Sequence, residues 1–308
     1  MNIKSRVRLA NGIKICLLGL GVFKVKEGKD VENTVITALN NGYRCIDTAQ
    51  AYHNEEGVGR GIKASGIPRE DIFLITKVEN NHQGYINTYK AFYKSLEHLQ
   101  TDYIDLYLIH WPKGRKSVET WKAMEELYKK GLIRAIGVSN FKIHHLEYLL
   151  PHCNVIPLVN QVEFNPHHAQ PQLYNYCKSK NIQLQAWGPL MEGKIVKIPE
   201  IIELSKKYNK TAAQIVLRWD LQKGVCTIPK SVKPERIAAN ADIFDFQITD
   251  YDMQLIDSLN IDNPRRHHQD KFMFLLEALF KKPTFSLFKI FVKASIFKFK
   301  NRFRLPVS

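Results

Sequence analysis

Gly19-Leu20-Gly21-Val22-Phe23-Lys24 decides between the two folds that the rest of the chain allows. The two glycines follow an apolar run from Leu17, which is how a dinucleotide-binding turn begins. A doubly wound sheet requires a third glycine three residues on, where helix and strand meet. That position is Lys24. Without the third glycine the stretch reads as the first strand and loop of a (β/α)₈ barrel. Gly57, Gly59 and Gly61 repeat at every second residue, but inside a helical pattern rather than after a strand, so they offer no alternative fingerprint.

Upstream, 7–9 and 13–15 flank Asn11-Gly12, a strong two-residue hairpin signal. Downstream, short β-rich runs alternate with amphipathic helical patterns. The strand candidates are 17–20, 44–47, 73–77, 104–110, 134–139, 158–163, 183–186 and 225–228. Helical stretches between them include 30–41, 84–100, 118–130, 170–180 and 233–241, and several stop at Gly42, Gly66, Gly131 or Gly224. Eight such units fill about 250 residues, the size and rhythm of a (β/α)₈ barrel.

The chain has 308 residues with 44% hydrophobic content, enough for a large core and too apolar for disorder. Its five cysteines stand far apart with no CxxC pair, which argues for a reducing compartment and against a zinc ribbon. The start lacks the apolar core of a secretory signal, and no stretch reaches the ~20 apolar residues of a spanning helix. A cytoplasmic protein is the expectation. The net charge of +15 is uneven: residues 263–308 hold eleven Lys and Arg against two Asp and Glu, so they carry +9 of it. The same segment holds nine of the sixteen phenylalanines, so the barrel is assigned to 1–262 and an extension to 263–308.

In a barrel of this kind, functional residues gather where strands end at the C-terminal face. Asp47 closes the second strand candidate, Lys77 the third and His110 the fourth, while Tyr52 follows Asp47 in its loop. Taken singly, each has a structural explanation: a capping Asp, a packing Tyr, a Lys pointing at water. Four titratable groups converging on adjacent strand ends make a proton donor instead. A free tyrosine, with a pKa near ~10, is a poor acid at neutral pH. An adjoining ammonium favours its phenolate, and a carboxylate holds that ammonium in place. Asp47, Lys77 and Tyr52 supply these parts, and His110 can direct the substrate oxygen.

Gly42-Tyr43-Arg44-Cys45-Ile46-Asp47-Thr48-Ala49 with Tyr52, Ile75-Thr76-Lys77, and Leu108-Ile109-His110-Trp111-Pro112 together resemble the aldo-keto reductase superfamily over residues 6–262. Within it the short loops look like the bacterial-type diketogluconate, glyoxal and methylglyoxal reductases. The resemblance implies a (β/α)₈ barrel that reduces small aldehydes and ketones with NADPH, without metal or flavin. Tyr52 would be the general acid, tuned by Asp47 and Lys77, with His110 orienting the carbonyl.

The resemblance also implies a cofactor site. Ser139 and Asn140, joined by Gln161, match positions that hold the nicotinamide carboxamide. Trp187 matches an aromatic that stacks on the nicotinamide ring. Relatives often carry Tyr-Ser where this chain has Trp187-Gly188, so a serine contact to the phosphates is lost. Lys230, Ser231, Val232, Arg236 and Asn240 match the adenosine-phosphate segment, with Lys230 and Arg236 as the cations for a 2′-phosphate. A glutamate common there is Ala239. Gly21, Val22, Asp47, Gly188 and Leu190 complete the implied cofactor contacts. Phe23, in place of a tryptophan of many relatives, would line the substrate pocket with Val22, Trp111, Trp187, Tyr52 and His110. His82, His144, His145, His167 and His168 read as exposed loop histidines without a metal-ligand pattern.

The extension beyond Asn260 is compositionally foreign. Over 285–300, Lys289 and Lys293 fall near one helical side and Phe285, Phe288 and Phe291 populate much of the rest. Such a helix suits an anionic membrane surface or a partner groove, contact being through 271–300. A tail without function, or one that packs over the active site, fits the composition too. The rival to catalysis is a nucleotide-sensing barrel module that binds a protein or membrane partner. Nucleic-acid binding is disfavoured, because the charge sits in one tail without a recognised motif. A monomer is expected.

Overall fold

The computed structural model describes residues 1–264. The extension's reading as a membrane or partner helix falls on residues outside those described. An antiparallel hairpin, β1 (Arg6–Arg8) and β2 (Lys14–Cys16), precedes the barrel, with Val7 opposite Ile15. Eight parallel strands then pair in chain order. They are β3 (Leu20–Gly21), β4 (Cys45–Asp47), β5 (Phe73–Val78), β6 (Ile104–Ile109), β7 (Ile133–Ser139), β8 (Val159–Glu163), β9 (Gln183–Trp187) and β10 (Cys226–Thr227). A parallel bridge between Leu18 and Thr227 closes the ring, backed by Gly19 N–H to Thr227 O at 2.9 Å. Neither first nor last strand is left as an edge.

Every residue of β5 and β6 is buried, as continuous apolar runs with both faces covered require. Helices cover the outside: α1 (Lys29–Asn40), α2 (Glu55–Ala64), α3 (Tyr85–Leu99), α4 (Gly114–Lys129), α5 (Ile143–Leu149), α6 (Pro171–Ser179), α7 (Pro199–Tyr208), α8 (Ala212–Gln222), α9 (Pro234–Ala241) and α10 (Asp250–Ser258). The expected helix ends hold: α4 stops two residues before Gly131, whose φ of 75° suits the residue past a helix C-terminus. Its start lies four residues earlier than the apolar pattern suggests, and in that added turn Ser117 Oγ accepts the Lys113 N–H at 2.7 Å.

The helical glycines have a packing reason. A Cβ on Gly59 would come within 2.7 Å of the Leu99 backbone, so α2 and the end of α3 touch main chain to main chain. The histidine expectation needs correction. His145 is fully buried on α5, where its Nδ1 accepts the Lys142 N–H at 3.0 Å, and His168 is buried beside the chain's last described turn. The His145 ring closes the start of α5, whereas His168 is held through its backbone, its N–H donating to Asn165 O at 2.9 Å; helical periodicity signals neither. Among the described residues no helix is long and apolar enough to cross a membrane.

Candidate active site

The C-terminal ends of the strands open into a groove of about 850 Å³. Three consecutive strand ends deliver the expected tetrad to one end of it. Asp47 ends β4, Lys77 lies one residue from the end of β5, and His110 follows β6. Tyr52 closes a 3₁₀ turn after β4, which ends because His53 turns left-handed at φ 54°. That turn is stapled by Gln50, whose Oε1 accepts the Glu79 N–H at 3.3 Å and whose amide donates to Ala91 O at 3.2 Å. Gln50 has no signature of its own in the sequence; its partners are fixed only when its turn meets the loop after β5 and α3.

Lys77 is wholly buried, and its ammonium donates to Asp47 Oδ1 and Oδ2 at 2.7 and 2.9 Å, to Thr48 O at 2.8 Å and to Tyr52 Oη at 3.4 Å. Burial alone would push this lysine down, but the Asp47 carboxylate and Tyr52 outweigh it and hold it above the ordinary lysine range. Burial pushes the Asp47 carboxyl above its ordinary value, and Lys77 and Gln161 offset only part of that rise. Two short charge-assisted bonds in a site closed to water favour the ionised pair. The Tyr52 ring lies edge-on to His110 at 5.6 Å between centroids and against Phe23 at 4.9 Å. One phenol thus touches a fixed ammonium below, an imidazole beside it and an apolar wall in front.

The expected nicotinamide end lies next to the tetrad. Gln161 on β8 donates from Nε2 across the barrel to Asp47 Oδ2 at 2.6 Å. Asn140, held left-handed at φ 65°, donates to His110 O at 2.9 Å and to Ser139 Oγ at 3.0 Å. Its Oδ1 accepts the Trp187 indole N–H at 2.9 Å. The aromatic at the end of β9 is therefore tied to the amide beside it, a bond that a tyrosine ring would not make from the same edge.

The groove runs on past Gly188 and Leu190 to Lys230, Ser231, Val232, Arg236 and Asn240. Lys230 and Arg236 are exposed and form no ion pair among the described residues, whereas Lys24 and Glu192 pair with each other at 3.3 Å on the groove's lining. Free cations facing a groove, beside a hydroxyl and a helix start, are the donor set that phosphates need. Those residues fit an NADP-type dinucleotide. Val22 is the exception. Its side chain is fully buried and does not line the groove, because its N–H bonds to Asp47 O at 3.0 Å and turns the side chain into the core. The structure also adds lining residues without an obvious motif: Thr211, Ala212 and Ala213 at the start of α8, and Ile195 and Val196 after β9.

A parallel barrel with this tetrad at its mouth defines a carbonyl-directed oxidoreductase. The chain belongs to the aldo/keto reductase family, whose model matches residues 17–261. It is 54% identical over 273 residues to the glyoxal reductase of Bacillus subtilis strain 168, covering 89% of this chain and 99% of that protein. Among solved structures it is similar to MGS-M4, an aldo-keto reductase from a Medee basin deep-sea metagenome library, with a TM-score of 0.84 and 45% identity over 86% of this chain and 98% of the other. A mutant of Gox0644 solved in complex with NADPH matches with a TM-score of 0.79 and 40% identity, covering 83% and 93% of the two chains.

Proposed function

We propose that this oxidoreductase converts small aldehydes and ketones to alcohols with NADPH, acting on compact carbonyls such as glyoxal, methylglyoxal or keto sugars. The observation that carries the reading is the buried Lys77 ammonium, bonded to Asp47 on one side and to Tyr52 Oη on the other. Tyr52 is the only hydroxyl of the tetrad and gives its proton to the substrate oxygen. Lys77 then faces the phenolate that remains, so the charge left on Tyr52 is met by a fixed cation rather than by reorganising water. Asp47 keeps Lys77 from turning away, and His110 meets the carbonyl oxygen from the other side of the phenol. When bound, NADPH supplies the hydride that reduces the carbonyl carbon. Ser139, Asn140, Gln161 and Trp187 hold its nicotinamide end, and Lys230, Ser231, Val232, Arg236 and Asn240 its adenosine-phosphate end, with Gly21, Asp47, Gly188 and Leu190 between. Phe23 and Trp111 make the apolar wall on the substrate side.

The family match ends at residue 261, which supports a catalytic barrel of 1–262 and a separate extension of 263–308. All five cysteines are free thiols, in keeping with a reducing, cytoplasmic compartment. Loss of NADPH absorbance with glyoxal, methylglyoxal and larger ketones tests the activity. A nucleotide-sensing module binds NADPH without turnover on any of them.

A further inference from the structure

Gln185 is completely buried inside the barrel on β9, at the same register as Gln161 on β8. Its Oε1 accepts the second N–H of Gln161 at 2.9 Å, while the first goes to Asp47 Oδ2 at 2.6 Å. Gln185 Nε2 has no hydrogen-bond partner among the described residues, although it is buried. A residue placed here only to fill space would be apolar, since an orphaned amide N–H costs stability without adding contacts.

The orientation of this pair is forced. The Asp47 carboxylate can only accept, so Gln161 must turn its amide nitrogen inward. That nitrogen presents a second N–H to Gln185, which must answer with its oxygen and leave its own nitrogen stranded. One hydrogen bond would fix only a point on the Gln161 amide, whereas two fix its plane. The carbonyl oxygen of Gln161, which has no hydrogen-bond partner among the described residues, is then the atom of this side chain left for the groove. We propose that Gln185 is a positioning residue: it locks the Gln161 amide so that an acceptor oxygen, in a set direction, meets the primary amide of the nicotinamide. This rests on the reading that the groove holds NADPH.

The test is calorimetric binding to Gln185→Leu, with NADPH and with its 3-acetylpyridine analogue, in which a methyl replaces the amide NH₂. The substitution removes one stranded N–H, that of Gln185, and strands another, the second of Gln161, so the two costs roughly offset and the protein should fold with a near-normal thermal midpoint. Kd for NADPH should rise about tenfold, the scale of one net hydrogen bond. Kd for the analogue, which has no N–H to offer Gln161, should change less than twofold. Gln185→Glu, which keeps an acceptor oxygen, should restore NADPH binding to within about threefold. Equal penalties for both nucleotides, or none for NADPH, would overturn the proposal. Failure of the unsubstituted protein to bind NADPH would instead overturn the cofactor reading on which it rests.

Discussion

Tyr52→Phe separates the chemistry of the tetrad from its architecture. The ring and its contacts with Phe23 and His110 remain, and only the hydroxyl leaves. That hydroxyl is the longest of the Lys77 contacts, at 3.4 Å, against 2.7, 2.9 and 2.8 Å for Asp47 and Thr48. The ammonium therefore stays satisfied, and the loss of stability should be under about 1 kcal/mol. The chemical loss is much larger, because general-acid catalysis contributes roughly 10²–10⁴-fold, about 2.7–5.5 kcal/mol of barrier. Turnover of methylglyoxal, followed by NADPH absorbance, should fall by that factor. Calorimetric Kd for NADPH and the thermal midpoint should move little. A companion, Lys77→Met, should behave differently: it strands the buried Asp47 carboxylate, which costs about 3–5 kcal/mol, so stability and turnover fall together. Turnover of Tyr52→Phe within threefold of the parent would refute the assignment of Tyr52 as the acid.

Three further outcomes are expected. Arg236→Ala should weaken NADPH by roughly 10- to 100-fold, the scale of one charge-assisted contact, and NADH hardly at all; equal weakening of both by fluorescence titration would mark Arg236 as structural. Asp220 is buried on α8, where it accepts from Thr227 Oγ1 at 2.7 Å and burial holds its carboxyl well above the usual range. The native state keeps that proton after the unfolded chain has lost it near pH ~4, so this group makes stability fall as pH rises above that point. Asp220→Asn removes the titration, and its stability relative to the parent should improve from pH 4 to pH 7 in thermal melts; a difference that does not change with pH would sink the argument. A chain ended at His268 should fold, bind NADPH and reduce small aldehydes, and loss of its cooperative thermal transition would show that the extension belongs to the core.

The sequence by itself determined the order of strands and helices, because fully buried parallel strands such as β5 and β6 write continuous apolar runs and glycine marks where helices stop. It also located the tetrad, since each member sits at or just after a strand end and the barrel gathers strand ends at one face. The short strands that close the ring were harder to bound: β3 keeps only Leu20–Gly21, β10 only Cys226–Thr227, and the seam between them is a single parallel bridge from Leu18 to Thr227. Tertiary structure alone decided what local pattern does not encode. Gln161 meets Asp47 from 114 residues away, across the barrel interior. Trp187 ties Asn140, Gln50 staples the Tyr52 turn, and Lys24 reaches Glu192, each through atoms on different strands or loops. Val22 turns inward although its neighbours Gly21 and Phe23 face the groove, and His145 is buried on a helix whose pattern allowed it to be exposed. Periodicity tells which side of an element is apolar. The partner of a buried polar group depends on which other polar group folding brings within hydrogen-bond reach, and that is settled only when the barrel closes.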